Sequence, residues 1–114
     1  MTPLGNVRVD WHGETPVAAL EGEIDSSNAK EIALALRALV TNRSLALVID
    51  LSPTRYLDSA GINLLFGLAE ELRARQLKLR LVVTAASPIA RMLAITSLDH
   101  AVPTYGAVPE ALAG

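Results

Sequence analysis

The chain predicts an α/β fold on a largely parallel sheet, and three observations carry that prediction. From residue 16 onward, strand-like runs alternate with stretches of helical apolar spacing, the order that crossover units produce. SLALVIDL is continuous and β-branched at its centre, which suits a strand covered on both faces. A length of 114 residues, 51% hydrophobic and 19% charged, fits one domain over residues 1–114. Folding a chain of this size buries about two-thirds of the surface it exposes when unfolded, enough for a self-sufficient core.

Each element has its own signal. NVRVDWHG places Val7, Val9 and Trp11 on one face, and PVAALEG follows after the turn-like GETP. The first of these two strands is expected as an antiparallel addition to the sheet. Ser26, Ser27 and Asn28 offer caps for a helix, and Asn28 with Glu31 resembles a capping box. Ala29, Ile32, Ala33, Leu36, Leu39 and Val40 then recur at helical spacing as one apolar stripe. Asp58 to Gln76 reads as the second helix, with Leu64, Leu65, Leu68 and Leu72 facing in and Glu70, Glu71, Arg73 and Gln76 facing out. LKLRLVVT is another buried strand. SPIARMLAITSL starts a third helix, with Ser87 as cap and Pro88 at the first helical position, where its missing N–H costs nothing. A short last strand is expected around PTYG, and a short helix in AVPEALAG.

Composition narrows the partners. With a net charge of −2 and four aromatic residues (one Trp, two Tyr, one Phe), nothing favours nucleic acid. Arg73, Arg75, Lys78 and Arg80 form a small basic cluster, which their spacing across a helix end and a strand start assigns to a solvated rim. Apolar runs are short, SLALVID ending at Asp50 and LRLVVTAAS breaking at Thr84. None approaches the roughly 18 to 20 residues of a membrane-spanning helix, so no membrane partner is expected. MTPLGNVRVD has no basic region leading into an apolar block, and no signal peptide is expected. The chain has no cysteine, which excludes disulfides and thiolate metal sites. That composition is compatible with a reducing cytoplasm, where we place the protein.

The stretch that asks for explanation is DLSPTRYLDSAGINLLFG, residues 50 to 67, with Asp58, Ser59, Ala60 and Gly61 between two apolar runs. One reading is structural. Asp58 caps the second helix, Leu57 and Ile62 stand at the separation of a hydrophobic staple, and Gly61 accommodates something packed close. The other reading adds a switch. A hydroxyl at Ser59, in the first helical turn, lies near unpaired amides and the positive end of the helix dipole. Phosphate there adds roughly −1.5 to −2 charges where the dipole favours them, so the fold survives. A partner docked over the same surface meets a dianion and a bulge. Ala60 and Gly61, being small, leave the hydroxyl open to a kinase.

Asp58-Ser59-Ala60-Gly61-Ile62 resembles the Asp-Ser-(Ser/Thr/Ala)-Gly-(Leu/Ile) signature of the STAS-domain anti-sigma factor antagonists. Gly22-Glu23-Ile24-Asp25 is similar to that family's Gly-Glu-(Leu/Ile)-Asp segment, and it precedes a helix containing Asn28-Ala29. Val48-Ile49-Asp50-Leu51, Ser87-Pro88 with Arg91-Met92-Leu93, and Thr96-Ser97-Leu98 resemble later family segments in order and spacing. The resemblance implies the STAS fold: a mixed, mostly parallel sheet of four to five strands with helices mainly on one face. It also implies a function, binding an anti-sigma factor and so releasing a sigma factor for transcription. The expected partners are a serine kinase of the histidine-kinase-like ATPase fold, which modifies the serine after the signature aspartate, here Ser59, and a phosphatase that restores the binding form. Asp25 and Asp58 fall on the partner-facing surface in this reading, with Ala60, Gly61, Ile62 and Asn63. Ala60 replaces a common second hydroxyl, leaving Ser59 as the sole acceptor in the signature, and Asn63 stands where many members carry glycine. A STAS subunit of another assembly, a stressosome or a lipid-transport complex, is the alternative.

Catalysis finds no support in the remaining residues, and no cofactor is expected. Asp50 ends a strand as a receiver phosphoaspartate would, but VRVDWHG and LVVTAAS do not supply the acidic pair and lysine a receiver needs. His12 and His100 lack further good ligands and read as surface residues. Asp-Ser-Ala-Gly has neither the leading glycine of a nucleophile elbow nor an obvious base. The protein is expected to bind, not to catalyse.

Overall fold

The computed structural model describes residues 6–114; the first five residues, part of the stretch on which the absence of a signal peptide was argued, lie outside the described residues. In chain order the elements are β1 (Val7–His12), β2 (Thr15–Leu20), β3 (Gly22–Ile24), α1 (Ala29–Leu39), β4 (Ala46–Asp50) and β5 (Thr54–Leu57). They continue as α2 (Ser59–Ala74), β6 (Lys78–Val82), α3 (Pro88–Ile95), α4 (Leu98–Ala101), β7 (Thr104–Tyr105) and α5 (Val108–Ala113). The main sheet has five strands in the order β1-β2-β4-β6-β7. β1 pairs antiparallel with β2, and every other neighbour pair in that sheet is parallel. The mixed, mostly parallel sheet is the one expected, with β1 as its antiparallel addition.

Alternation along the central strands builds two layers of packing. Ala18, Leu20, Leu47, Ile49, Leu79 and Leu81 join the large core formed with α1, α2 and α3. Val17, Val48 and Val82 belong to a smaller cluster with Ala111 of α5, against which Val108 and Leu112 pack. Helices α1 to α3, joined by Leu98 of the short α4, therefore cover one face, and the short α5 covers the centre of the other. Because both faces are covered there, β4 reads as an apolar run without alternation.

Several details differ from the sequence reading, each for a local reason. The capping box at α1 does not form: Asn28 occupies the N-cap without a side-chain cap bond. Its amide is used across the preceding turn instead, accepting from the Asp25 N–H at 2.9 Å and donating to the Glu23 carbonyl at 2.9 Å. Val9 and Trp11 share a face with Val7 yet stay 41% and 49% exposed, because β1 is the edge strand. Leu64 is only half-buried at the margin of the core. The third helix stops at Ile95, where the Thr96 hydroxyl bonds back to the Met92 and Leu93 carbonyls and Ser97 takes φ +63; Leu98–Ala101 then forms a separate turn of helix.

A second, two-stranded sheet was not anticipated. β3 pairs parallel with β5, setting Ile24 beside Leu57, with a register shift between Gly22 and Glu23. Gly22 adopts φ +81, a conformation that costs glycine little, as the chain leaves β2. The buried Thr54 hydroxyl donates to the Leu20 carbonyl and anchors the start of β5 to the end of β2. This small sheet carries the loop before α1 to the start of α2.

Within α2, Gly67 is exposed, and apart from its chain neighbours and the adjacent backbone of its own helix no atom lies within 4 Å of where its Cβ would stand. Gly67→Ala should stabilise the protein by about 0.5 to 1 kcal/mol, from helix propensity alone. A thermal melt compared with the unsubstituted protein measures it.

Candidate functional site

The site is organised by one carboxylate. Asp58 is the N-cap of α2 in extended conformation, and its Oδ1 accepts from the amides of Ala60 at 2.8 Å and Gly61 at 3.1 Å. Its Oδ2 accepts from the Ser26 amide at 3.3 Å, in the loop before α1. Its backbone extends the same joint: the Asp58 N–H donates to the Ile24 carbonyl at 3.2 Å, and the Asp58 carbonyl accepts from Ile62 at 3.0 Å. The expected cap is present, and it also ties two distant segments together.

Gly61 is glycine because of that joint. A methyl group there would stand 3.0 Å from Leu57 Cδ2, 3.1 Å from the Ile24 carbonyl oxygen and 3.3 Å from Ile24 Cγ2. The carbonyl cannot yield without loosening the bond from Asp58 N–H. Leu57 and Ile62, the staple positions, are both buried in the main core. Ala60 is half-buried, while Ser59 and Asn63 are exposed. Ser59 is thus the first residue of a firmly anchored helix with its side chain at the surface.

Asp25 sits in the neighbouring loop, half-buried. Its Oδ1 accepts from the Ser27 hydroxyl and from the Ser27 amide at 2.9 Å. The Ser27 hydroxyl, then the Ser27 amide, hold its carboxyl below the ordinary value; partial burial opposes them, and a backbone bond to Asn28 adds a smaller lowering. The Asp25 carbonyl accepts from the Asn28 amide at 3.1 Å and the Ala29 amide at 2.8 Å, so the loop feeds directly into α1. Asp25 meets the Ser59 region through its loop, by the Ser26 amide on Asp58.

Beside Ser59 runs an open groove of about 470 Å³ between the start of α2 and α3. Asp58, Ser59, Ile62 and Asn63 line one side of it, as the sequence reading had grouped them. Tyr56, Leu57, Met92 and Thr96 line the rest and were not foreseen there. Tyr56 is 47% exposed, and Ile95, next to Thr96 in the chain, is 75% exposed. The four-residue spacing of Met92 and Thr96 on α3 was visible in sequence. Nothing there showed that β5 and α3 would close around the helix start. Gly61 lies beneath this surface as a packing residue.

The other residues singled out in sequence serve locally. Arg73 pairs with Glu70 at 2.8 Å, and Arg80 donates to the Ala111 carbonyl at 3.2 Å, while Arg75 and Lys78 are exposed. Asp50 accepts from the Ser52 amide at 2.9 Å in the turn after β4. His12 and His100 lie beside Asp10 and Asp99, at 3.5 Å and 3.9 Å. Among the described residues, no helix is long and apolar enough to cross a membrane.

Two outcomes test this geometry. Asp58→Ala removes the cap and the tie to Ser26, and should lower stability by about 1 to 2 kcal/mol in a urea titration. The lowered pKa of Asp25 means that its stabilising contribution is fully present above its unfolded pKa and is lost as pH falls through the folded one. Asp25→Asn should therefore flatten the acid arm of a stability–pH profile; an unchanged arm would remove Asp25 from the acid response.

A family model described as "Mlab, STAS domain" matches residues 7–106. The anti-sigma-F factor antagonist RsfB of Mycobacterium tuberculosis is 31% identical over 108 residues, covering 95% of this chain and 87% of the relative. A crystal structure of an anti-sigma factor antagonist from Mycobacterium paratuberculosis superposes with a TM-score of 0.83 at 31% identity, over 94% of this chain and 90% of that one. The Bacillus cell-fate determinant SpoIIAA, in its phosphorylated form, shares the fold at 21% identity, with a TM-score of 0.65 over 94% and 96% of the two chains. With the family model spanning all but the ends and RsfB alike along nearly its full length, the chain belongs to the STAS-domain family of anti-sigma factor antagonists.

Proposed function

We propose that this protein is an anti-sigma factor antagonist whose docking surface is the helix start around Ser59, and that phosphorylation of Ser59 switches that surface off. The observation that carries the reading is the placement of Ser59: an exposed hydroxyl at the first position of α2, on the rim of the groove lined by Tyr56, Ile62 and Met92. An apolar groove of this kind fits a protein partner, and its edge is where added charge does most damage to docking.

The fold tolerates the modification. Phosphate on Ser59 would stand at the N-terminus of a sixteen-residue helix, where the dipole favours negative charge. Asp58 already holds the Ala60 and Gly61 amides, so the phosphate would project outward instead of replacing the cap. The partner in this reading is an anti-sigma factor with serine kinase activity, and a phosphatase restores the binding form. Asp25 and Asn63 belong to the contact surface in this reading, Asn63 lining the groove on α2 and Asp25 lying in the loop that Ser26 ties to Asp58. The protein acts by binding and carries out no chemistry of its own.

Incubation with the cognate kinase and ATP should add one phosphate, located on Ser59 by mass spectrometry and absent from Ser59→Ala. Ser59→Asp should weaken kinase binding by several kcal/mol in calorimetry, since an unpaired charge is buried at the interface. Its melting temperature should stay close to that of the unsubstituted protein, because a first-turn acid suits the helix. Phosphate on another residue would overturn the site, and equal affinity of the two forms would overturn the charge mechanism.

A further inference from the structure

The outer edge of β1 is a surface that the Ser59 region does not use. β1 pairs with β2 on one side, and among the described residues no strand pairs with its other side. The Asn6 carbonyl accepts from the Glu21 amide at 2.8 Å. In an antiparallel ladder, backbone groups address alternate sides, so the even-numbered residues of β1 bond to β2. The N–H and C=O groups of Val7, Val9 and Trp11 therefore point outward, away from the sheet. Among the described residues nothing pairs with this edge; the strand contains no proline or lysine, its pairing runs from Val7 to His12 without a bulge, and its charges, Arg8 and Asp10, are of opposite sign.

The side chains make this edge complementary to itself. We propose that two copies of this chain join β1 to β1, antiparallel and centred on Val9, so that the two main sheets become one. In that register Val9 faces Val9 of the second copy, and Val7 faces Trp11. These are the residues whose backbone groups point outward, so the ladder bonds form between them. Arg8 then lies opposite Asp10 of the second copy, and Asp10 opposite Arg8, at the non-hydrogen-bonded positions where side chains approach most closely. Shifting the centre to Arg8 or to Asp10 sets like charges against each other at that centre. Shifting it to Val7 or Trp11 shortens the overlap to the strand ends.

The exposures agree with such an occupant. Val9 and Trp11 lie on the helix-bearing face, opposite Ala18 and Pro16, and remain 41% and 49% exposed. Pairing would place each Trp11 over the edge of the neighbouring core at Val7. Arg8 currently reaches Glu21 at 2.8 Å with its side chain 69% exposed, which leaves donors of its guanidinium free for Asp10 of the second copy. Asp10 is 84% exposed. The twofold axis of an antiparallel strand pair stands perpendicular to the sheet, so both helical layers would lie on the same side.

Sedimentation of the full chain over a concentration series should show a monomer–dimer equilibrium. Arg8→Asp creates two like-charge oppositions and should weaken the dimer by about tenfold or more. Adding Asp10→Arg re-pairs the charges with reversed polarity and should restore it, a rescue that general damage to the fold would not give. Val9→Pro removes an outward N–H without touching the bonds to β2 and should abolish the dimer, with circular dichroism reporting that the fold persists. Should Val9→Pro unfold, the charge-reversal pair decides alone. A monomer at every concentration, a dimer that survives Val9→Pro in folded protein, or a double variant that stays as weak as Arg8→Asp would each overturn the proposal.

Discussion

The bond set of Asp58 is the constraint on which the rest of the site depends. One carboxylate oxygen closes the first turn of α2, and the other holds the loop before α1. Ser26 and Asp58 stand 32 positions apart, so this is a tertiary joint and not a local cap alone. It is reinforced from below by the contact of Gly61 with Ile24 and by the Ile24 carbonyl that receives the Asp58 N–H. A helix start fixed at so many points presents Ser59 in one place. Capping and exposure are thus parts of one arrangement: the aspartate holds the helix start and the serine stands at its surface, as the proposed switch requires.

Much of the fold was legible because the sheet is covered on both faces at its centre. Ala46–Asp50 and Lys78–Val82 read as strands from apolar runs, and α2 and α3 from apolar spacing with cap residues at Asp58 and Ser87. The parts that escaped are those decided by few residues or by distant ones. GEI and TRYL are too short to show a period, and they are strands because each pairs with the other. Asn28 carries a helix-cap residue type, but its side chain is spent on the turn before it, a choice local sequence does not reveal. Val9 and Trp11 show the alternation of a half-buried strand while lying at an edge, since periodicity reports which residues share a face and not whether that face is covered.

The candidate site was legible in the same uneven way. Its helix-start half, Asp58 to Asn63, is contiguous and carries a recognisable pattern. Its other half comes from β5 and α3, where Tyr56, Met92 and Thr96 look like ordinary members of their elements. The glycine of the signature bears out the packing reading of it: it leaves a small surface beside the serine, and a Cβ there would stand 3.1 Å from a backbone carbonyl beneath it.

The small β3–β5 sheet has a consequence of its own. The loop holding Asp25 and the helix holding Ser59 meet only when those two short strands have found each other across the intervening chain. On the proposed function, a fragment containing one half lacks the docking surface, and a regulator docking there engages only chains in which β3 and β5 have paired. Assembly of that surface would then report that the domain has folded.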